Sequence, residues 1–133
     1  MYSLSIIYTQ AQVDAFAALT GDVNPVHLDE AYARTTVLRR RAVHGMLAAS
    51  TFSAILGCHY PGDGTLYLSQ TLDFVKPIYP EVALVAEVAL LESDPKSGRM
   101  RLSTIMKEEA SGKVVISGEA QVVNRNMRVK AVQ

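Results

Sequence analysis

Helix-type apolar spacing and short polar breaks alternate in the first third of the chain. Residues 3–8, SLSIIY, are typical of a short strand. Apolar residues then recur at helical spacing over residues 10–20, with Thr9 as a candidate N-cap. Gly21 is placed to end that helix, and residues 28–35 have the pattern of a further short helical turn. The pattern therefore predicts a strand, a helix and a helical turn in this order.

A long uncharged stretch follows. From Met46 to Cys58 no residue is charged, and nearly all are apolar or small. This composition is typical of a helix that is buried on most of its sides. The consecutive arginines before it, residues 39–41, are expected in a loop. We therefore predict one core helix over residues 46–58, and we interpret Cys58 as a small apolar filler.

The second half of the chain changes to the two-residue period of β-strands. The segments that alternate or run apolar in this way are residues 65–79, 81–93, 99–110 and 113–124. The breaks between them contain proline, glycine or serine, as in DPKSG and SG. Connections this short favour antiparallel neighbours. The chain is therefore predicted to be an α+β domain in which an antiparallel sheet wraps one buried helix.

Length and charge narrow the class of protein. At 133 residues the chain has the size of one ordinary domain, so we expect a single domain over residues 1–133. Its 13 basic and 13 acidic residues balance, and it has no tryptophan and no basic block longer than three residues. This balance argues against nucleic acid or an anionic membrane as a partner.

Cysteine content and the N-terminal residues bear on location. Cys58 is the only cysteine, so the chain contains no disulfide framework and no CxxC metal motif. The N-terminal residues lack a basic segment followed by a long apolar one, and no stretch approaches the ~18 apolar residues of a membrane span. We therefore expect a soluble, unprocessed protein in a reducing compartment, the cytoplasm.

The polar segment TGDVNPVH carries candidate chemistry. Turn propensity explains its glycine, aspartate, asparagine and proline, but it does not explain His27. Asp22 and His27 would lie on opposite sides of a continuous helix. Pro25 disfavours the helical conformation at Asn24, however, so the chain is expected to bend and the two side chains can converge on one water. On spacing alone, a cap at Asp22 and an ordinary histidine are the simpler interpretation.

Three runs of sequence together resemble a known family. They are FAALTGDVNPVHLDEAYA, VHGMLAASTFSAILG and TLYLSQTLDFVKPIYPEVALVAEV, and they span nearly the whole chain, from about residue 9 to about residue 124. In this order they resemble the MaoC-like (R)-specific enoyl-CoA hydratases, or hydratases 2, of the hot-dog fold. The most specific part is the G-D-x-N-P-x-H signature with HGM downstream. The resemblance implies a long central helix wrapped by an antiparallel sheet of about five strands, and a homodimer.

The resemblance also implies a reaction, the reversible addition of water to a trans-2-enoyl-CoA to give an (R)-3-hydroxyacyl-CoA. Such an addition needs a base, an acid and a donor for the enolate-like oxygen. By resemblance, Asp22 and His27 are the catalytic pair and act through one water, and the Gly45 N–H belongs to the oxyanion hole. A glycine at the start of the core helix suits that role, because first-turn N–H groups are unpaired and a carbonyl can come close. Asn24 is expected to hold the turn or orient a neighbour, and Ser53 matches a family position near the pocket.

Several other polar residues are interpreted as structural or surface residues. No metal and no redox cofactor is implied, and coenzyme A enters only as part of the acyl-CoA substrate. We interpret His44 as a structural residue at the helix start and His59 as a surface residue. Ser53 is equally well explained as a helix hydroxyl bonded to the backbone. The tyrosines expected in the core or at an interface are Tyr60, Tyr67 and Tyr79.

The arginine run departs from the family pattern, in which an apolar or proline-containing segment usually precedes the HG pair. One interpretation is a solvated loop. A second is a clamp for the phosphates of coenzyme A, in which Arg40 and Lys76 would bind substrate. A third is that Arg41, in place of a rigid proline, loosens the approach to Gly45. The sequence leaves these three open.

Three other functions also stay open. A 3-hydroxyacyl-acyl-carrier-protein dehydratase of fatty-acid synthesis is the nearest, because the reaction is reversible and the same pair would serve. A hot-dog acyl-CoA thioesterase commonly carries a carboxylate on the central helix, and MLAASTFSAILGC has none. A non-catalytic acyl-CoA binding module would have lost the pair, whereas Asp22 and His27 are both present.

Overall fold

Ten helices and strands make up the part of the chain that the structure, a computed structural model, describes, residues 1–125. They are β1 (Tyr2–Ile6), α1 (Gln10–Thr20), α2 (Pro25–Leu28), α3 (Glu30–Arg34), α4 (Gly45–Cys58), β2 (Leu66–Gln70), β3 (Asp73–Phe74), β4 (Leu84–Asp94), β5 (Arg99–Glu108) and β6 (Val114–Val123). Within residues 1–125 no helix has the length and apolar character needed to cross a membrane.

One antiparallel sheet contains all the strands. Five lie in the order β1-β4-β5-β6-β2, and the two-residue β3 pairs with β6 off this path. The long strands β4, β5 and β6 follow one another through short turns, as their alternating pattern predicts. The predicted α+β class is confirmed, and so is the antiparallel sheet.

Burial of α4 against one face of the sheet forms the core. Its buried residues are Ala48, Ala49, Thr51, Phe52, Ile55 and Leu56. They cluster with residues of the central strands, among them Val88, Leu102 and Met106, which have no exposed surface. Burial of each large apolar side chain contributes about 1.5–3 kcal/mol. The predicted core helix is confirmed, and it begins at Gly45.

One side of α4 is left uncovered. Met46, Ser50 and Ser53 are exposed, so the prediction of a helix buried on most of its sides was wrong. The interpretation of Cys58 as an apolar filler was also wrong, because Cys58 is exposed. Successive helical steps of four residues lead from Ser50 through Ala54 to Cys58, which places the cysteine on the same uncovered side. An uncharged composition therefore did not distinguish a buried face from an exposed one.

Local signals fix both ends of α1. The Thr9 side chain accepts a hydrogen bond from Gln12 N at 3.2 Å, and the Gln12 side chain accepts one from Thr9 N at 2.9 Å, which forms a capping box. At the other end Gly21 adopts the left-handed conformation, with φ 81°, and donates to the Ala17 carbonyl. Both predicted boundaries are confirmed.

The helical turn predicted over residues 28–35 is α3, and a separate short helix, α2, ends at Leu28 just before it. Asp29 lies between α2 and α3 with extended backbone, and its carboxylate accepts a hydrogen bond from Tyr32 N at 3.0 Å. Aspartate favours such a cap over a helix interior, so the helix ends and restarts there.

The segment 65–79, predicted as one strand, is broken between β2 and β3. At the break Thr71 and Glu119 of β6 exchange two hydrogen bonds of 2.9 Å, from Thr71 N to Glu119 O and from Glu119 N to Thr71 Oγ1. The two chains lie so close that a Cβ on Gly118 would be 1.8 Å from Thr71 O. Glycine permits this approach because it has no side chain.

A buried tyrosine ties α4 to the segment before α1. The Tyr8 hydroxyl donates to the Ala48 carbonyl at 3.2 Å and forms a further hydrogen bond with the Thr51 hydroxyl. Burial raises the pKa of Tyr8, although the hydrogen bond to Thr51 acts in the opposite direction. The hydroxyl therefore stays protonated at neutral pH and can serve as a donor to the helix.

Two glycine substitutions should separate close backbone approach from helix propensity. Gly118→Ala should lower the free energy of unfolding by about 1–3 kcal/mol, because the added Cβ overpacks the contact with Thr71. Gly57→Ala is the control, since a Cβ there meets no atom within 4 Å, and it should stabilise α4 by up to about 1 kcal/mol. Urea unfolding followed by circular dichroism measures both. Equal stability of the two variants would contradict the close approach.

Candidate active site

The turn between α1 and α2 bends as the sequence predicts. Asn24 has φ −53° and ψ 123°, outside the helical region, and Pro25 is the first residue of α2. The Asn24 side chain accepts a hydrogen bond from Val26 N at 3.3 Å, and Asn24 N donates to the Asp22 carboxylate at 3.4 Å. Asn24 is exposed and holds the turn. Its hydrogen bonds account for its presence without any contact to substrate.

His27 is half-buried and its ring is fixed at one nitrogen. Nδ1 lies 2.7 Å from the Ala42 carbonyl oxygen. A carbonyl can only accept a hydrogen bond, so Nδ1 must carry a hydrogen and donate it. In the neutral ring Nε2 then has a free lone pair. His27 is therefore oriented so that one defined nitrogen can accept a proton.

Asp22, His27 and His44 come together at this turn. One oxygen of Asp22 and one nitrogen from each imidazole lie within 4.8 Å of one another. The convergence of Asp22 and His27 that the bend implies is therefore found, whereas their catalytic roles stay predictions. Asp22 is exposed and His44 is buried, so the cluster lies at the boundary between core and solvent.

The contacts of His44 were missed by sequence reasoning. His44 is the N-cap of α4, as its predicted place at the helix start requires, yet its side chain makes no cap hydrogen bond. Instead, Nε2 lies 3.0 Å from the Asp22 carbonyl oxygen, and the ring stacks on His27 with centroids 3.9 Å apart. The one available signal was its position next to Gly45, the expected oxyanion donor.

A groove of about 450 Å³ runs past this cluster. It is lined by the three clustered side chains, by Gly45 and Met46 at the start of α4, and by Phe74 and Lys76. Gly45 is the first residue of α4, and no acceptor among residues 1–125 pairs with its N–H. A residue with an unpaired first-turn N–H, at the positive end of the helix, therefore lines the groove beside the Asp and His side chains.

Phe74 explains the absence of a side chain at Gly45. A Cβ on Gly45 would lie 2.7 Å from Cε1 of the Phe74 ring. The aromatic ring therefore fills the space on the Cβ side of Gly45, which is a further reason for a glycine there, and the approach of a substrate carbonyl to its N–H stays a prediction. The ring is 50% exposed, so it can swing aside.

Ser53 lies in a neighbouring groove. This second groove, of about 390 Å³, runs along the uncovered side of α4 and is lined by Ser50 and Ser53 of the helix and by Tyr67 and Leu72 on the other side. Met46 lines both grooves. Ser53 is exposed there and is one groove removed from the Asp and His cluster.

The arginine run is engaged in protein contacts. The Arg40 guanidinium lies 4.0 Å from the centroid of the Tyr79 ring, outside the first groove. Arg41 forms an ion pair with Glu30 at 3.2 Å. Arg39 adopts a left-handed backbone with φ 68° and is exposed. Of the predicted cations, Lys76 lines the groove and Arg40 does not.

The cluster could serve proton transfer or bind a metal. A carboxylate and two imidazoles are ligand types that Zn²⁺ accepts. Each ring also donates one N–H to a backbone carbonyl, at Ala42 for His27 and at Asp22 for His44. These bonds leave one nitrogen on each ring for either use.

Comparison with protein families identifies the chain's relatives. The family model described as MaoC like domain matches residues 2–113. A protein from Aeromonas caviae named (R)-specific enoyl-CoA hydratase is 42% identical over 121 residues, which cover 90% of this chain and 88% of that protein. A mitochondrial 3-hydroxyacyl-[acyl-carrier-protein] dehydratase from Arabidopsis thaliana is 35% identical over 124 residues, covering 91% of this chain and 73% of the relative.

Comparison with solved structures also finds an (R)-hydratase among the similar proteins. The structure described as an (R)-hydratase from A. caviae involved in PHA biosynthesis matches with a TM-score of 0.88 and 41% identity, over 92% of each chain. A match of this extent confirms the predicted hot-dog architecture, with five strands along the main path of a six-stranded sheet. The central helix was predicted to be long, whereas α4 is short, with 14 residues.

Proposed function

Because the chain belongs to the MaoC-like domain family, we propose that it catalyses the (R)-specific hydration of trans-2-enoyl-CoA to (R)-3-hydroxyacyl-CoA, and the reverse dehydration. It is a hydro-lyase. The observation that carries the proposal is the convergence of Asp22 and His27 in a groove beside the start of α4. The similarity to the A. caviae hydratase in sequence and structure supports it.

The proposed reaction starts from a water held between Asp22 and His27. Nδ1 of His27 is committed to the Ala42 carbonyl, so Nε2 is the nitrogen that accepts a proton from this water as its oxygen attacks C3. The Asp22 carboxylate accepts the other hydrogen bond of the water and orients it. His27, which took the proton from the water at Nε2, returns a proton to C2, so the hydroxyl of the water ends on C3 and its proton is balanced at C2. Because the attacking water and the proton donor act from one side in this proposal, hydroxyl and hydrogen add to the same face of the double bond.

Gly45 supplies the donor for the thioester oxygen in this proposal. Its N–H has no acceptor among residues 1–125 and lies at the positive end of α4. A fixed donor at the place where enolate charge develops stabilises the transition state more than the ground state. The same arrangement works in both directions of the reaction.

The carrier of the acyl group has two candidates. Similarity to the A. caviae hydratase favours coenzyme A, whereas similarity to the Arabidopsis dehydratase favours acyl-carrier protein, with the same pair and the reverse direction. We propose coenzyme A, because identity and coverage are both higher for the hydratase. We propose that Lys76, which lines the groove, and Arg39, which is exposed, bind its phosphates.

A second copy of the chain is the proposed partner. Large apolar residues are exposed along the sheet edge and the uncovered side of α4. They are Met46, Leu66, Leu68, Phe74 and Val75. Strand β2 ends the sheet, so its outer edge has unpaired backbone groups that a partner strand would satisfy. We further propose a reducing compartment, the cytoplasm, where the exposed Cys58 stays a thiol.

The pair is tested by removing each proton-transfer group. Asp22→Asn and His27→Ala should each lower turnover of a short trans-2-enoyl-CoA by about 10²–10⁴-fold, the contribution expected of a positioned acid or base. Loss of absorbance of the conjugated thioester measures the rate, and chiral analysis of the product checks the (R) configuration.

Three controls accompany this assay. His59→Ala removes an exposed imidazole that stacks on Tyr2, away from the groove, and should leave turnover unchanged. Incubation with EDTA should also leave wild-type activity unchanged, because the proposed mechanism uses no metal. An acyl-carrier-protein thioester of the same chain length compares the carriers. Near-normal turnover by folded Asp22→Asn or His27→Ala protein would remove the assignment of the pair.

Substitutions at Gly45 and Phe74 should have coupled effects on turnover. Gly45→Ala should fold, because the Phe74 ring can swing out, but turnover should fall as the displaced ring and the new methyl group narrow the approach to the N–H. Phe74→Ala in the Gly45→Ala background should restore part of the lost turnover. Gly45→Val should lower turnover more than Gly45→Ala does, both with Phe74 and with Phe74→Ala. Full activity of Gly45→Val would contradict the use of this N–H.

Loss of cation contacts to coenzyme A should raise KM for the enoyl-CoA substrate. Lys76→Gln and Arg39→Gln should each raise KM for an enoyl-CoA about two- to fivefold, the size of an exposed ion pair, and leave turnover unchanged. A truncated enoyl thioester without the nucleotide should show no change. Lys96→Gln, in the exposed turn between β4 and β5, is the matched control. A KM that is unchanged for the full substrate would leave these cations as solvated surface.

A further inference from the structure

We propose that His44 is a positioning residue that fixes Asp22 and His27 relative to each other and to the start of α4. This inference rests on the proposed function of the pair. His44 would not touch the substrate or exchange protons, and its effect on the reaction would pass through the two side chains that it contacts.

The first contact holds the backbone of Asp22. His44 Nε2 lies 3.0 Å from the Asp22 carbonyl oxygen, and because a carbonyl only accepts, Nε2 must be the donor. The other hydrogen bonds of Asp22 join it to Thr20 and Asn24, within its own turn. Among residues 1–125, the bond from His44 is thus the one hydrogen bond that ties Asp22 to a distant part of the chain. Val26 and His27 of α2 are bonded to Ala42, just before α4, so the bond from His44 is what extends this attachment to Asp22.

The second contact holds the ring of His27. The two imidazoles stack with centroids 3.9 Å apart and planes 29° apart. His27 is therefore held at its edge by the Ala42 carbonyl and on its face by His44. Phe16 of α1 packs against the His44 ring with centroids 4.8 Å apart, so His44 itself has little freedom to move. His44 as a whole is 2% exposed.

The remaining nitrogen of His44 takes no part in the contacts with the pair. Nδ1 is buried and has no hydrogen-bond partner among residues 1–125. With the hydrogen on Nε2 donated to the Asp22 carbonyl, Nδ1 is a bare acceptor. His44 therefore reaches the pair through Nε2 and through its ring face.

The unsatisfied nitrogen also argues against a purely stabilising role. A buried acceptor without a partner costs free energy, and an apolar side chain could fill the same space without that cost. His44 also makes no cap hydrogen bond, although it is the N-cap of α4. Beyond packing, the histidine donates a hydrogen bond to the Asp22 carbonyl, and it does so from the position next to Gly45.

Three substitutions separate the two contacts. His44→Ala removes both, His44→Phe keeps a flat ring against His27, and His44→Gln keeps an amide donor for the Asp22 carbonyl. We expect His44→Ala to lower kcat about 10²-fold, the effect of a misplacement of about 1 Å, with KM for the enoyl-CoA within about twofold of wild type. The kcat of His44→Gln should be higher than that of His44→Phe, because His44→Gln keeps the hydrogen bond that joins Asp22 to the residue before α4.

Matched substitutions at His59 control for loss of an imidazole. His59 also stacks on an aromatic ring, Tyr2, with centroids 5.0 Å apart, but it lies outside the groove. His59→Ala, His59→Phe and His59→Gln should leave kcat unchanged. Circular dichroism and thermal unfolding of all six variants should show native folds. Unfolding of all three His44 variants, with the His59 variants intact, would make His44 a packing residue and overturn the inference.

A double variant tests whether His44 acts through the pair. If it does, His44→Ala should cause little further loss of kcat in the Asp22→Asn background, since the positioned carboxylate is already gone. A full additional loss there, or wild-type kcat in the single His44→Ala variant, would overturn the positioning role. Failure of the proposed function would give different results, namely an inactive wild-type protein or a fully active Asp22→Asn variant. Either result would overturn both the proposed function and the positioning role of His44.

Discussion

Burial of α4 against one face of the antiparallel sheet is the constraint on which the other features depend. Phe52, Ile55 and Leu56 of the helix are all but fully buried, together with side chains from the central strands. These contacts fix the axis of α4 and therefore the place where its first N–H groups emerge. Tyr8 adds hydrogen bonds from the segment before α1, which restrain the rotation of the helix.

The candidate site forms where the N-terminal end of α4 meets three other segments. The segment formed by α2 and the turn before it brings His27 and Asp22, His44 precedes α4, and Phe74 reaches Gly45 from the short strand β3. None of these groups is held by strong local structure alone. They are brought together because the helix end is fixed and because the break between β2 and β3 redirects the chain toward it.

The loop that approaches α4 is more ordered than its charge suggests. Arg40 packs over Tyr79, whose hydroxyl donates to the Leu38 carbonyl at 2.8 Å, and Arg41 pairs with Glu30. These contacts join the arginine run to the segment after β3 and to α3. They argue that Arg40 and Arg41 shape the approach to the groove, and they leave the interpretation of a loosened approach without support.

The sequence by itself determined the elements that local chemistry controls. The capping box at Thr9, the left-handed Gly21, the bend at Asn24 and the strand alternation all follow from the conformational preferences of a few adjacent residues. Family resemblance, carried by the two linked motifs, supplied the fold and the candidate pair. Tertiary structure alone decided how His44 contacts Asp22 and His27 and why residue 45 is a glycine. These contacts join residues far apart in the chain, whose distances depend on how α4 packs, and local preference carries no information about them.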